Sequence, residues 1–308
     1  MELSQEGFDR ARQFVHTQAR PLEQALFAVY FEDGPADAVL DALGAHQNAD
    51  GGFGQSLEPD FRLEASSPMA TTVGFQVVRD MGIGADHPIV QRGIRYCLET
   101  YDAALERWGS VPEAVNTVPR APWWGYDAEG EAKAGFRANP SAEIVGHLWH
   151  YKDLVPEDLL DRVTGLALAH MDTLPEEMEM HDLLCYLWLL EADHLPDAER
   201  IAVGHRMLQA APGIVTRDPA QWGSYCVKPL VLAPLPASSL ADVLTDEVQT
   251  NLDYEIGHQG EDGAWGPFWN WGGQHGDAWD TAEREWKGVL TVKVLRSLKA
   301  FGRMQNSK

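Results

Sequence analysis

Apolar residues recur three and four positions apart along nearly every segment of this chain, and the strict alternation of a half-buried strand is almost absent. The pattern predicts an all-α protein. Its helices are of two kinds. One kind is amphipathic and charged, over about 3–19, 36–47, 87–107, 156–173, 196–211 and 240–258, and should turn one face to water. The other is apolar or small almost all round, over about 21–32, 67–81, 140–152, 179–192, 225–234 and 282–302, and belongs inside. The two kinds alternate strictly. Six outer and six inner helices in alternation predict six hairpins closed into one (α/α)6 toroid spanning residues 1–308. Ser67-Pro68 and Asn139-Pro140 each set a capping side chain before a proline suited to a first helical turn.

The joints between the two kinds of helix repeat. Gln47-Asn48-Ala49-Asp50-Gly51-Gly52-Phe53-Gly54 returns as Gln259-Gly260-Glu261-Asp262-Gly263-Ala264-Trp265-Gly266, with weaker echoes at Arg107-Trp108-Gly109-Ser110 and Gln221-Trp222-Gly223-Ser224. The inner segments also resemble each other: Pro68-Met69-Ala70-Thr71-Thr72-Val73-Gly74 matches Pro140-Ser141-Ala142-Glu143-Ile144-Val145-Gly146 at Pro, Ala, Val and Gly. Self-similarity of this kind fixes architecture before chemistry. Glycines permit the tight turn, the Asp can cap the following backbone, and the aromatic ring stacks between hairpins. Gln47, Asp50, Phe53, Gln259, Asp262 and Trp265 are therefore expected to build the fold rather than to react.

A Gln followed by Asp-Gly-Gly-Phe-Gly or Asp-Gly-Ala-Trp-Gly between an outer and an inner helix resembles the repeat of the terpenoid cyclase and protein prenyltransferase β-subunit superfamily. The resemblance covers most of the chain as a fold and two loops as a strong motif. It implies functional residues in the loop after each joint and in the first turns of the next inner helix, around a central cavity. The chain departs from the family at the chemistry. No Asp-x-Asp-Asp run is present, and neither Cys185 nor Cys226 has an Asp two residues before it, as a zinc-binding Asp-x-Cys pair requires.

Candidate chemistry lies in three loops and on the inner helices. The first loop carries Glu58, Asp60, Arg62 and Glu64 just ahead of the capped helix at Pro68, as general acid and base, cation ligands or mere ion-pair partners. The second, about 111–139, holds Trp123, Trp124 and Tyr126 and is long enough to be a lid over the cavity. The third, about 265–286, gathers Trp269, Trp271, Trp279 and Trp286 around His275, Asp277 and Asp280, aromatic faces that suit a carbocation or a sugar ring. On the inner helices, Glu143 and His147 stand four apart and share a face, with His150 a turn further on; His181 and Asp182 head an apolar run, and Lys228 and Lys287 interrupt two others.

Composition narrows the partners. A net charge of −23 argues against nucleic acid and anionic membrane surfaces, whose charges need a cationic face. No apolar run approaches the length of a membrane span and the first residues lack a signal-peptide pattern, so a cytoplasmic protein acting on a small molecule is expected. Three separated cysteines offer neither a disulfide framework nor a metal knuckle. No cofactor is expected; an oxygen and nitrogen metal set from Asp60, Glu64, His147 and His275 is left open.

Three functions are weighed. The leading one is a divergent cyclase-like or prenyltransferase-like enzyme that folds an apolar or polyene substrate in an aromatic cavity and starts rearrangement by proton transfer from Asp60, Glu58 or Asp280. A carboxyl held in an apolar cavity has the raised pKa that a general acid needs. The second is a carbohydrate-active (α/α)6 enzyme, a glycosidase, epimerase or lyase, using stacked Trp with carboxylate and His catalysis. The third is a non-catalytic binding toroid, whose inner carboxylates and His would be paired with one another.

Overall fold

The computed structural model describes residues 1–305. It is all-helical, with thirteen α-helices and, among the described residues, isolated β-bridges in place of strands. In chain order they are α1 (Gln5–Gln18), α2 (Pro21–Phe31), α3 (Ala36–Gly44), α4 (Pro68–Asp80), α5 (Pro88–Glu99), α6 (Ala128–Lys133), α7 (Ala138–His150), α8 (Glu157–Met171), α9 (Met180–Leu190), α10 (Asp197–Ile214), α11 (Pro229–Leu232), α12 (Thr245–Gly257) and α13 (Gly276–Ala300). Each of the twelve expected helices is found, though four are cut or extended by several residues, and α6 is additional. No helix among the described residues is long and apolar enough to cross a membrane.

The differences have local causes. The helix expected to run to 107 stops at Glu99, because the Asp102 carboxylate takes the amides of Ala104 (2.8 Å) and Leu105 (2.9 Å) and turns the chain. The segment expected over 225–234 keeps four helical residues. Pro229 starts them, and Pro234 holds Ala233 out of the helical region (φ −136°, ψ 70°). The last helix begins at Gly276 rather than 282, so the Trp-rich stretch is half loop and half helix. Ser67 caps α4 through the Ala70 amide (3.0 Å), whereas Asn139 has extended angles (φ −90°, ψ 110°) and the regular part of α7 starts at Pro140.

The helices gather into two compact units. The first comprises residues 1–42 and 215 onward, where α1 packs on α2 and α13, α2 on α13, and α12 on α11 and α13. The two ends of the described chain meet in it: Leu3 pairs with Met304 in a parallel bridge, and Arg303 engages Gln249 and Asp253. The second unit is residues 43–214, where α7 packs on α4, α8 and α9, α4 on α5, and α9 on α10. In α7 every residue from Pro140 to Trp149 is buried, as expected of an inner helix.

Both strong joints are built alike. In the second unit the Gln47 carboxamide donates to the Gly51 carbonyl of its own turn (2.9 Å) and to the Ile89 carbonyl of α5 (2.9 Å), while Arg92 donates to its oxygen (2.5 Å). In the first unit Gln259 donates to Gly263 (2.8 Å) and to Gly7 of α1 (2.8 Å), and Arg10 donates to its oxygen (3.0 Å). The aromatic amide then bonds a threonine hydroxyl of the helix that follows: Phe53 to Thr71 of α4 (3.0 Å), Trp265 to Thr291 of α13 (3.1 Å). The indole N–H of Trp265 caps the Glu255 carbonyl (2.8 Å) in the last turn of α12, and Trp108 does the same for Cys97 (2.7 Å) of α5.

Gly51 and Gly263 hold left-handed φ of 91° and 87°, and a Cβ on either would lie 2.4 Å or 2.5 Å from the backbone of Arg92 or Arg10. Gly82 is left-handed too (φ 64°) but faces open space. Gly51→Ala should therefore lower unfolding free energy by about 3 kcal/mol or more, strain and collision together, and Gly82→Ala by about 1 kcal/mol, strain alone. Urea unfolding of the two variants checks this; equal losses would remove the close approach from the account.

Candidate functional site

The acidic loop follows directly on the first joint. Gln55 and Ser56 turn it through left-handed φ (51° and 55°), and their amides bond the Glu64 (3.1 Å) and Leu63 (3.2 Å) carbonyls, folding the loop back on itself. Leu57, Phe61 and Leu63 are buried and draw the residues between them inward, so Glu58 is 8% and Asp60 4% exposed. The Asp60 amide donates to Glu58 Oε1 (3.2 Å). Glu58, Asp60 and Arg62 are each engaged by contacts, while Glu64 is exposed and contributes its carbonyl.

The segment expected as a lid lies against this loop. Arg120 pairs with Phe61 in an antiparallel bridge; Ala121 donates to the Asp60 carbonyl (2.7 Å) and Arg62 to that of Pro119 (2.9 Å). Trp124 stands edge-on to Phe61 at 5.5 Å with its indole nitrogen buried and without a hydrogen-bond partner. Trp123 points outward, 51% exposed, and Tyr126 is half-buried with both backbone groups held by Asn116.

Glu143 and His147 do meet, as their spacing predicts, but inside a closed network. His147 Nε2 lies 3.2 Å from Glu143 Oε1, which also accepts from Gln76 (2.7 Å); the Cys185 thiol faces Oε2 at 3.9 Å. Arg79 of α4 is 3.3 Å from His147 Nδ1 and donates to the Trp188 (3.2 Å) and Glu191 (2.8 Å) carbonyls at the end of α9. A guanidinium can only donate, so Nδ1 must be the acceptor and Nε2 carries the proton given to Glu143. The imidazole is sandwiched by Phe75 (5.1 Å) and Trp188 (5.8 Å). Burial first, and then Arg79, push its pKa down to about 4 against the pull of Glu143. Burial and the nearby Glu143 likewise hold the Cys185 thiol well above its ordinary range. With both ring nitrogens used, His147 is not free to take a substrate proton.

The remaining expected residues fall elsewhere. His150 does not join the network: it is 3.5 Å from Asp193 and borders a cavity of about 550 Å³ with Tyr151, Trp188 and His194. His181 is exposed and 2.8 Å from Glu179, which caps α9; the half-buried Asp182 is raised by burial and by Glu179. In the first unit, His275 precedes α13 at left-handed φ 60°, and His275, Asp277 and Asp280 are all exposed. Asp280 and Lys287 line a groove of about 580 Å³ with Arg10 and Arg284, where Lys287 pairs with Asp262 (2.8 Å). The tryptophans form two pairs, Trp269 with Trp286 (5.1 Å) and Trp271 with Trp279 (5.6 Å).

Sequence reasoning missed Gln76, Arg79 and Glu255. Glu255 pairs with Lys228 (3.0 Å), whose ammonium sits over Tyr254 (5.0 Å) and Phe268 (5.8 Å). Gln76 and Arg79, polar and three apart on an otherwise apolar inner helix, carry the same signal that singled out Glu143 and His147. Of the conceivable metal set, His147 has both nitrogens engaged and Glu64 is exposed; among the described residues no group of three or more His, Cys, Asp or Glu is placed to hold a metal ion. Compared with known proteins, the chain matches no family model and no curated relative.

The buried histidine sets a pH dependence. Its folded pKa of about 4 lies below the ordinary 6.5, so the unfolded chain binds the proton first. The contribution is fully present above pH 6.5 and falls away as pH drops toward 4, by at most about 1.4 kcal/mol per unit and about 3 kcal/mol in all. In His147→Gln, urea-unfolding free energies measured from pH 7 to 4 should lose close to one proton of slope. An unchanged slope would mean that His147 titrates normally.

Proposed function

We propose that the helices are the hairpins of an (α/α)6 toroid and that the protein is a small, divergent enzyme of the terpenoid-cyclase and prenyltransferase kind. Two features support the architecture. The apolar helices pack in succession, α4 on α7 and α7 on α9 in one unit and α13 on α2 in the other. The second joint also clasps α1 through Gln259 as the first clasps α5 through Gln47, so α1 takes the position of an outer helix following α13.

The observation that carries the enzymatic reading is the pair Glu58 and Asp60, drawn below the surface by Leu57, Phe61 and Leu63 and covered by the segment bearing Trp124. This pair is assigned the acid chemistry that an apolar or polyene substrate would require. Asp60 is assigned the acid and Glu58 its neighbour. Asp280 is exposed and lacks the apolar surroundings this role needs, which removes it from the assignment.

A second reading, a binding toroid without catalysis, is favoured by the pairing of the inner ionisable groups, Glu143 with His147 and Lys228 with Glu255. The two separate on incubation of the purified chain with linear isoprenoid polyenes and with aryl glycosides, products being followed by mass spectrometry. Cyclised or isomerised polyene is expected, reduced about 100-fold or more in Asp60→Asn at an unchanged unfolding midpoint. Binding without turnover favours the second reading, and glycoside cleavage overturns both.

A further inference from the structure

The segment between Trp108 and α7 has two kinds of mooring. Residues 127–137 are held by Arg107, a buried guanidinium that donates to the Glu131 carboxylate (2.6 Å), the Glu131 carbonyl (2.9 Å) and the Ala134 carbonyl (3.3 Å). Arg137 donates to the same carboxylate (2.6 Å). Releasing this stretch would strand a buried cation, among the costliest of local openings.

Residues 116–126 are instead tied to themselves. Asn116 Oδ1 accepts from the Tyr126 amide (3.0 Å) and from Arg120 (2.9 Å), while its Nδ2 donates to the Tyr126 carbonyl (2.8 Å). One side chain thus pinches both ends of an Ω-loop together. Buried Val115 ends the neck on one side. Asp127, which caps α6 through the Glu129 and Gly130 amides, ends it on the other. The loop meets the acidic loop through two neutral backbone bonds, at Arg62 and Ala121, and through the contact of Trp124 with Phe61. In that closed position the Trp124 indole N–H is buried without a partner, a cost that solvent relieves once the loop swings out.

We infer that residues 116–126 form a rigid flap that turns about the Asn116–Tyr126 neck and uncovers Asp60, while residues 127–137 stay in place. The inference rests on the reading of Asp60 as part of the site, and its test does not. Parting neutral backbone bonds and a ring contact is a local opening of the kind that lids use; breaking a buried ion pair is not.

The test is native-state hydrogen exchange of the intact chain by NMR, without substrate. One swing frees the amides of Arg62 and Ala121 together, so their protection factors should match. Trp124→Ala should raise both by about tenfold and leave the Glu131 and Ala134 amides unchanged. Glu131→Gln should do the reverse. Unrelated protection factors at Arg62 and Ala121 in the unsubstituted chain, or acceleration of both by Glu131→Gln, overturns the flap. If the flap moves as described while Asp60→Asn keeps full turnover, the catalytic reading alone fails.

Discussion

A single carboxamide holds each strong joint together. Gln47 and Gln259 each use both N–H groups on carbonyls, one in their own turn and one on a neighbouring helix, and each offers its oxygen to an arginine of that helix. Bonds of this sort contribute about 1 kcal/mol each, more where a guanidinium donates. Their larger effect is geometric. The turn must pass so close to the neighbouring backbone that only glycine fits, and this close approach sets where the next loop leaves. The acidic loop starts four residues past Gly51, so the placement of Glu58 and Asp60 depends on a glutamine that has no chemistry of its own.

Helix type and order were legible because burial imposes a period on the sequence, and the inner helices α7 and α9 carry that signal most fully. Local breakers were written there too: Pro229 and Pro234 confine α11, and Asp102 ends α5. What could not be read was tertiary. Spacing put Glu143 and His147 on one face, but their closure into a network depends on Gln76 and Arg79 from α4 and on Cys185 from α9. Asp60 and Asp280 looked equivalent as loop carboxylates. They differ because buried Leu57, Phe61 and Leu63 flank the first, whereas the second sits on the first turns of a helix facing water. The long loop's inner order was hidden for a similar reason, since it hangs on Arg107, an arginine turned inward beside Trp108.

The excess of negative charge is a property of the surface. Three buried carboxylates are each matched: Glu23 by Arg20, Glu255 by Lys228, and Glu143 by three donors of which none need be charged. Matching inside and excess outside is the arrangement that keeps an acidic protein dispersed while sparing its core the cost of an uncompensated charge.

The clasp between the second joint and α1 also bears on how the chain is made. Residues 43–214 form a contiguous unit and can fold as they emerge from the ribosome, but α1 and α2 belong with α12 and α13. At cellular rates of synthesis the first 42 residues must wait on the order of ten seconds for their partners. Throughout that interval the run Leu22-Glu23-Gln24-Ala25-Leu26-Phe27-Ala28-Val29 has α1 but not α13 to pack against. Residues 1–42, made before their partners in the first unit, are the last of it to be sheltered, which makes α2 the natural foothold for a chaperone on the nascent chain.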